Sequence, residues 1–170
     1  MDIIWLLRIV LRIIHIGAGI FWVGGTLITT FFIGPTVGAT AEAGQKFIGY
    51  FMNNLKFSQR ISAAAGSSVL AGIILYGMDA QGGAWARSST GIGFAIGGLA
   101  AIVGMVYGIL IGRTLKSLVQ LGSQIQGKPS AEQATQLQNL QKQQRTYSNI
   151  SVIALIIAVL FMATARYFIF

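Results

Sequence analysis

Polar and charged positions are sparse along this chain, and between them lie four long apolar runs. Each run meets the length of a membrane-spanning helix, roughly 20 apolar residues. The first covers residues 4–33 and is expected to end at Gly34-Pro35, because proline has no amide hydrogen with which to continue a helix. It is longer than a bilayer needs, so it either tilts or leaves its Arg8 and Arg12 turns in the interface. Thr40 is placed to cap a following helix. Over 41–58, Phe47, Ile48, Phe51, Met52 and Leu55 fall on one side and Gln45, Asn53 and Lys56 on the other, the pattern of an amphipathic helix lying on a membrane surface.

The second span is expected over 60–78, followed by a short turn at 79–87 in which Trp85 serves as an interface anchor. The third span, 91–112, carries glycines at 93, 97, 104, 108 and 112, a spacing that lets helix backbones approach closely. Its apolar stripe continues through Leu115, Leu118 and Ile125 to a break at Gly127-Lys-Pro129. Ser130-Ala-Glu-Gln133 then has the form of a capping box. Ala134, Leu137, Leu140, Gln144 and Tyr147 lead into a fourth span over 149–169. The pattern predicts an all-α integral membrane four-helix bundle in one domain, residues 1–170. A cytoplasmic antiparallel helical hairpin, 113–148, extends from it between spans three and four.

Composition agrees with that pattern. Hydrophobic residues make up 54% and charged residues 9% of the chain, and mean hydropathy is +0.70. A water-soluble domain carries about 25% charged residues. An apolar run from Ile3 past Phe32 is too long for a signal-peptide core and is expected to be a retained helix. The absence of cysteine excludes disulfides, thiolate metal sites and covalent haem attachment.

The net charge of +8 does not point to nucleic acid, because the cations gather at span borders. Lys46, Lys56, Arg60, Arg113, Lys116, Lys128, Lys142 and Arg145 face only Glu42 and Glu132 on one side of the membrane. Arg87, Arg166, Arg8 and Arg12 lie with Asp2 and Asp79 on the other. The first group is expected to be cytoplasmic, which leaves the N- and C-termini outside (periplasmic) in an inner, plasma membrane.

The chemistry concentrates in the first span. His15, the only histidine, sits inside it, and an ionisable residue within a membrane segment is a candidate functional site. Steps of four and three residues place Arg8, Arg12, His15, Gly19 and Trp22 on one stripe. Two readings remain open for it. Either the arginines snorkel to headgroups and His15 bonds a neighbouring helix, or the stripe holds a flat, anionic cofactor. For a b-type haem (haem b), His15 would ligate iron, Gly19 would leave room for the ring, and Arg8 and Arg12 would pair with the propionates. Met162, at a similar depth on the fourth span, is a candidate second ligand or core filler, and Met78 is a weaker candidate. The sixth position is otherwise empty or filled by His15 of a symmetry mate. Arg166 is either an interface anchor or a third propionate partner. No carboxylate pair, HExxH motif or nucleophile–base pair occurs in the spans, so the chain is not expected to be an enzyme on its own.

The segment Leu11-Arg-Ile-Ile-His15, followed by Phe21-Trp-Val-Gly-Gly25, resembles the first helix of the CopD-type membrane proteins. It is also similar to that of the HemJ-type protoporphyrinogen oxidases. The order of a basic amphipathic stretch, a second span, a Trp-bearing turn and a long basic loop is shared. The resemblance implies a four-helix membrane bundle and, on the HemJ side, a b-type haem held at the position of His15. The HemJ-type His-Ala-Lys motif at the start of the third span has no counterpart here, where residues 86–91 read Ala-Arg-Ser-Ser-Thr-Gly. These observations lead to a haem-b-binding protein of electron transfer or haem handling in the lipid bilayer, as a homodimer or an accessory subunit with other membrane proteins. The alternatives are a non-catalytic assembly subunit without cofactor, and copper transport of the CopD kind.

Overall fold

The computed structural model describes residues 2–125 and 127–168; among these there is no strand. Helix α1 (Ile3–Ile28) begins where the Asp2 carboxylate accepts the Ile4 amide at 3.1 Å, and a π-helical turn, Thr29–Ile33, carries it into α2 (Gly34–Ala39). Then come α3 (Ala41–Asn53), α4 (Phe57–Asp79), α5 (Ser89–Gln124) and α6 (Ala131–Thr164), with a closing 3-10 turn, Ala165–Tyr167. The expected end of the fourth span at 169 lies outside the described residues.

The helix does not stop at Pro35, and the π turn is the reason. The Gly34 amide bonds back to the Thr29 carbonyl, one residue further than in an α-helix. That widening leaves room for a ring that would otherwise strike the preceding turn. Thr29 and Thr36 donate their hydroxyls to the Gly25 and Phe32 carbonyls at 2.7 Å each, satisfying backbone groups around the irregularity. Thr40 does not cap α3 through its side chain; its hydroxyl bonds the Thr36 carbonyl at 2.7 Å. α3 ends at Asn53, short of the expected 58, and the chain turns through Lys56 in a left-handed conformation (φ 50°). Phe51 bridges Phe47 and Phe57 across this turn.

Four helical stretches, Ile3–Ala39, Phe57–Asp79, Ser89–Gln124 and Ala131–Tyr167, are long and apolar enough to cross a membrane. Their outer surfaces agree: Ile13, Ile20, Leu70, Leu99 and Ile153 are all well over half exposed, far more apolar surface than a water-soluble monomer tolerates. The chain is built as a multi-pass membrane protein.

Packing is carried by small residues. α1 runs antiparallel along α4, and α5 along α6, with α4 also touching α5. Gly97 and Gly104 of α5 are buried against α6, and Gly93 against Ala165 and Phe168 just beyond its end, so the glycine spacing serves close packing. The Ser151 hydroxyl donates across this seam to the Gly104 carbonyl at 3.1 Å. A Cβ at Gly104 would stand 2.7 Å and 2.9 Å from Leu155 Cδ2 and Cγ, and Leu155 is fully buried. Gly104→Val is therefore expected to lower stability by about 1–3 kcal/mol, read as a lower unfolding temperature in detergent. Gly108→Val, where a Cβ meets nothing within 4 Å, is the control. The helices meet at Trp22, Ala65 and Leu155, ringed by Val23, Ile61, Ala64, Val69, Ala101 and Met105.

Beyond the apolar part of α5, a Ser130–Gln133 capping box opens α6 as its sequence predicts. Tyr107 and Tyr147 pack together where the two helices leave the apolar zone. Trp85 does more than anchor an interface, since it lies edge-on to Tyr76 and stacks on Phe94, closing the turn between α4 and α5.

Candidate functional site

The stripe on α1 faces α4, and the small side chains of α4 decide what each stripe residue meets. At the start of α1, the Arg8 guanidinium forms an ion pair with the Asp79 carboxylate and donates to the Met78 carbonyl at 3.2 Å. Both charged side chains are about one-third exposed (33% and 30%), so the pair sits at the edge of the seam rather than in its interior.

Two turns further on, His15 Nδ1 lies 2.7 Å from the Ser68 carbonyl oxygen. A carbonyl only accepts, so Nδ1 carries the proton and, in the neutral ring, Nε2 keeps its lone pair. The Ser68 hydroxyl donates back to the His15 carbonyl at 2.9 Å, and the two residues thus clasp each other. The ring edge rests on Gly72, where a Cβ would stand 2.8 Å from His15 Cε1 and 2.9 Å from Nδ1. Only glycine lets the imidazole lie there. Nε2 has no hydrogen-bond partner among the described residues.

The remaining stripe residues divide. Gly19 is covered by α4: its missing side chain is replaced by Ser68 Oγ, 3.2 Å from where a Cβ would be, so no slot for a macrocycle opens between these helices. Trp22 is 3% exposed and belongs to the central core. Arg12 turns away. Leu11, one residue earlier and about 100° round the helix, is buried, whereas Arg12 is exposed beside Ile9, Ile13, Ile16 and Gly17 in a shallow depression on the outer side of α1. It has no ion-pair or hydrogen-bond partner among the described residues.

Met162 packs on α5, its Cγ 3.2 Å from the position of a Gly97 Cβ, and Arg166 is exposed in the closing turn. Met78 contributes its carbonyl to Arg8. Among the described residues no three His, Cys, Asp or Glu side chains gather as a metal cluster. The site is thus one imidazole of defined tautomer, with a ring nitrogen that has no hydrogen-bond partner among the described residues, and an unpaired guanidinium one turn away that turns to the outer side of the same helix.

Fit to a b-type haem can be judged on this geometry. The ligand atom fits: a ligating histidine commonly holds its second nitrogen on a carbonyl, which fixes tautomer and ring orientation. Room on the α4 side of His15 does not, because Ser68 fills it, and Arg8 is already paired. Ring and propionates would have to meet the open side of His15 and Arg12.

Three residues of the site lack chemistry that stands out in a sequence. Ser68 and Gly72 belong to the small-residue series Ala65, Ser68, Gly72 at steps of three and four, which marks a close-packing face. Asp79 ends the second span at the membrane border where Arg8 begins the first, so antiparallel neighbours bring them level. No protein-family model, curated protein or solved structure matches this chain.

Proposed function

We propose that this protein binds a b-type haem through Nε2 of His15 and serves one-electron transfer or haem handling. The observation that carries the reading is the Ser68 carbonyl on Nδ1, which places the proton of a neutral ring there and leaves Nε2, without a hydrogen-bond partner among the described residues, as the ligand atom. Arg12, a cation without a partner, supplies the counter-charge for a propionate, and iron supplies the redox chemistry when bound. Gly19 and Arg8, engaged with α4, fall outside the holding set, and Trp22 supports it from the core. The protein sits in the plasma membrane with its termini outside and its basic connections in the cytoplasm, because the cations between spans one and two and between spans three and four outnumber those on the opposite side.

The absorbance spectrum of purified protein tests the assignment. A Soret band is expected in the wild type and is lost in His15→Ala. His15→Gln, which keeps a donor for the Ser68 carbonyl, is expected to fold and to lose the band as well. A colourless wild type, or a band unchanged in both variants, would overturn the proposal.

A second reading has its own support: His15, Arg8 and Gly19 all make contacts that glue α1 to α4. On that reading the protein is a structural or assembly subunit, and gentle extraction yields it colourless and bound to other membrane proteins.

A further inference from the structure

We infer that this protein binds phospholipids of net negative charge at the membrane face where its first and second spans connect, through three pairs of cations on three helices. The pairs are Lys56 with Arg60 at the start of α4, Arg113 with Lys116 on α5, and Lys142 with Arg145 on α6. All six residues are exposed, and their side chains have no ion-pair or hydrogen-bond partner among the described residues.

The fold brings the pairs to one level. α4 is 23 residues long, about 34 Å and so one bilayer, with Phe57 at one border and Asp79 at the other. A Cβ on Gly112 would stand 3.4 Å from Ser58 Oγ, which sets Arg113 beside the border at which α4 begins. Tyr107 packs on Tyr147, and five residues outward along the two antiparallel helices lie Gly112 and Lys142, so Lys142 is level with Gly112. No free carboxylate shares that level among the described residues. Asp2 and Asp79 lie at or beyond the opposite border, Glu42 is held by Lys46 at 2.8 Å, and Glu132 is ten residues nearer the hairpin tip than Lys142.

Like charges three or four residues apart repel, and here that spacing recurs on three helices with no acidic side chain to relieve it. A phosphate accepts from both members of such a pair and removes the repulsion. The directions of the pairs say which phosphate. Arg60 lies about 200° round α4 from Ser58, which faces α5, while Lys142 and Arg145 lie about 140° and 200° round α6 from Tyr147, which also faces α5. The cations thus point outward on different flanks of the bundle, at the depth of lipid phosphates. A single acidic protein would cover one flank, whereas a leaflet of anionic headgroups reaches every one. Tyr50 on α3 and Leu55, next to Lys56, are exposed as well, aromatic and apolar surface suited to the headgroup boundary.

Electron paramagnetic resonance of spin-labelled lipids in phosphatidylcholine bilayers containing the protein tests the inference. Spin-labelled phosphatidylglycerol is expected to associate with the wild type several-fold more strongly than spin-labelled phosphatidylcholine. The preference is expected to fall toward unity in about 1 M salt, where the screening length is about 3 Å. Three double variants, Lys56→Gln with Arg60→Gln, Arg113→Gln with Lys116→Gln, and Lys142→Gln with Arg145→Gln, are each expected to remove part of it. Arg87→Gln, at the opposite border, is expected to leave it unchanged. Each double variant keeps four of the six cations, and the salt dependence is read on the wild type alone. No preference in the wild type, a preference insensitive to salt, or one unchanged in all three double variants overturns the inference. Displacement of the labelled lipid by millimolar glycerol phosphate also overturns it, in favour of a soluble anion. Absence of preference together with an acidic protein released by the double variants would assign the cations to that partner instead. None of these outcomes turns on whether haem is bound.

Discussion

Trp22→Ala is expected to lower stability by about 3–5 kcal/mol, the range for truncating a buried aromatic. Trp22 is 3% exposed and packs with Ala65 and Leu155 where α1, α4, α5 and α6 come together. In a bilayer, lipid is as apolar as the core, so little of this loss comes from transfer out of water. It comes from the cavity and the contacts forfeited around it, which the surrounding helices can close only by shifting inward against their other contacts. Trp22→Phe, which keeps most of the contact, is expected to lose much less. Thermal unfolding in detergent distinguishes the two, and a loss below about 1 kcal/mol for the alanine variant would show that this junction does not hold the helices together. The same experiment separates core from cofactor. If Trp22 touched a porphyrin, Trp22→Phe would shift the visible spectrum while stability changed little, whereas a core role predicts an unshifted spectrum.

If His15 ligates haem as proposed, Gly72→Ala is expected to reduce haem affinity about 10–100-fold, the usual effect of disturbing the group that orients a ligating histidine. The added methyl would overlap the Cε1–Nδ1 edge of His15, and the backbone has little freedom to retreat because Ser68 already fills the space of a side chain at Gly19. The ring must swing off the Ser68 carbonyl, now 2.7 Å away. Gly77→Ala, five residues on in α4, adds a methyl that meets nothing within 4 Å and serves as the control. Equal haem retention in the two variants would show that the orientation imposed by α4 is irrelevant to ligation. Loss of the folded protein in Gly72→Ala alone would instead assign the clasp to helix packing.

Several features were legible before the fold was known, and each has a local cause. The four apolar runs are long, the capping box joins residues only three apart, and the Gly127-Lys-Pro129 break acts on its own backbone. The glycine spacing of α5 implies close packing, which α6 supplies at Gly97 and Gly104 and the residues just after it at Gly93. The continuation through Pro35 is not legible in the sequence, for an equally physical reason. Proline forbids an unmodified α-turn, but a π turn relieves the clash, and no residue pattern in 29–33 declares one.

The residues of the candidate site show the same division. That His15 is unusual follows from its being an imidazole inside an apolar run. That Arg12 and Arg8 have different fates does not follow, since they share a stripe and a charge. Asp79 reaches Arg8, while Arg12 falls past the edge of α4.

The sequence by itself determined the number of long apolar helices, the small-residue faces on which two of them pack, and the single side chain with ligand chemistry. Only the tertiary structure decided that Ser68 and Gly72 orient that imidazole, that Trp22 is core, and that Arg8 is paired while Arg12 is not. Apolarity along a membrane helix records what avoids water, and both lipid and a neighbouring helix satisfy it equally. Which of the two covers a given residue is settled by the shape of the partner helix, through contacts between residues tens of positions apart.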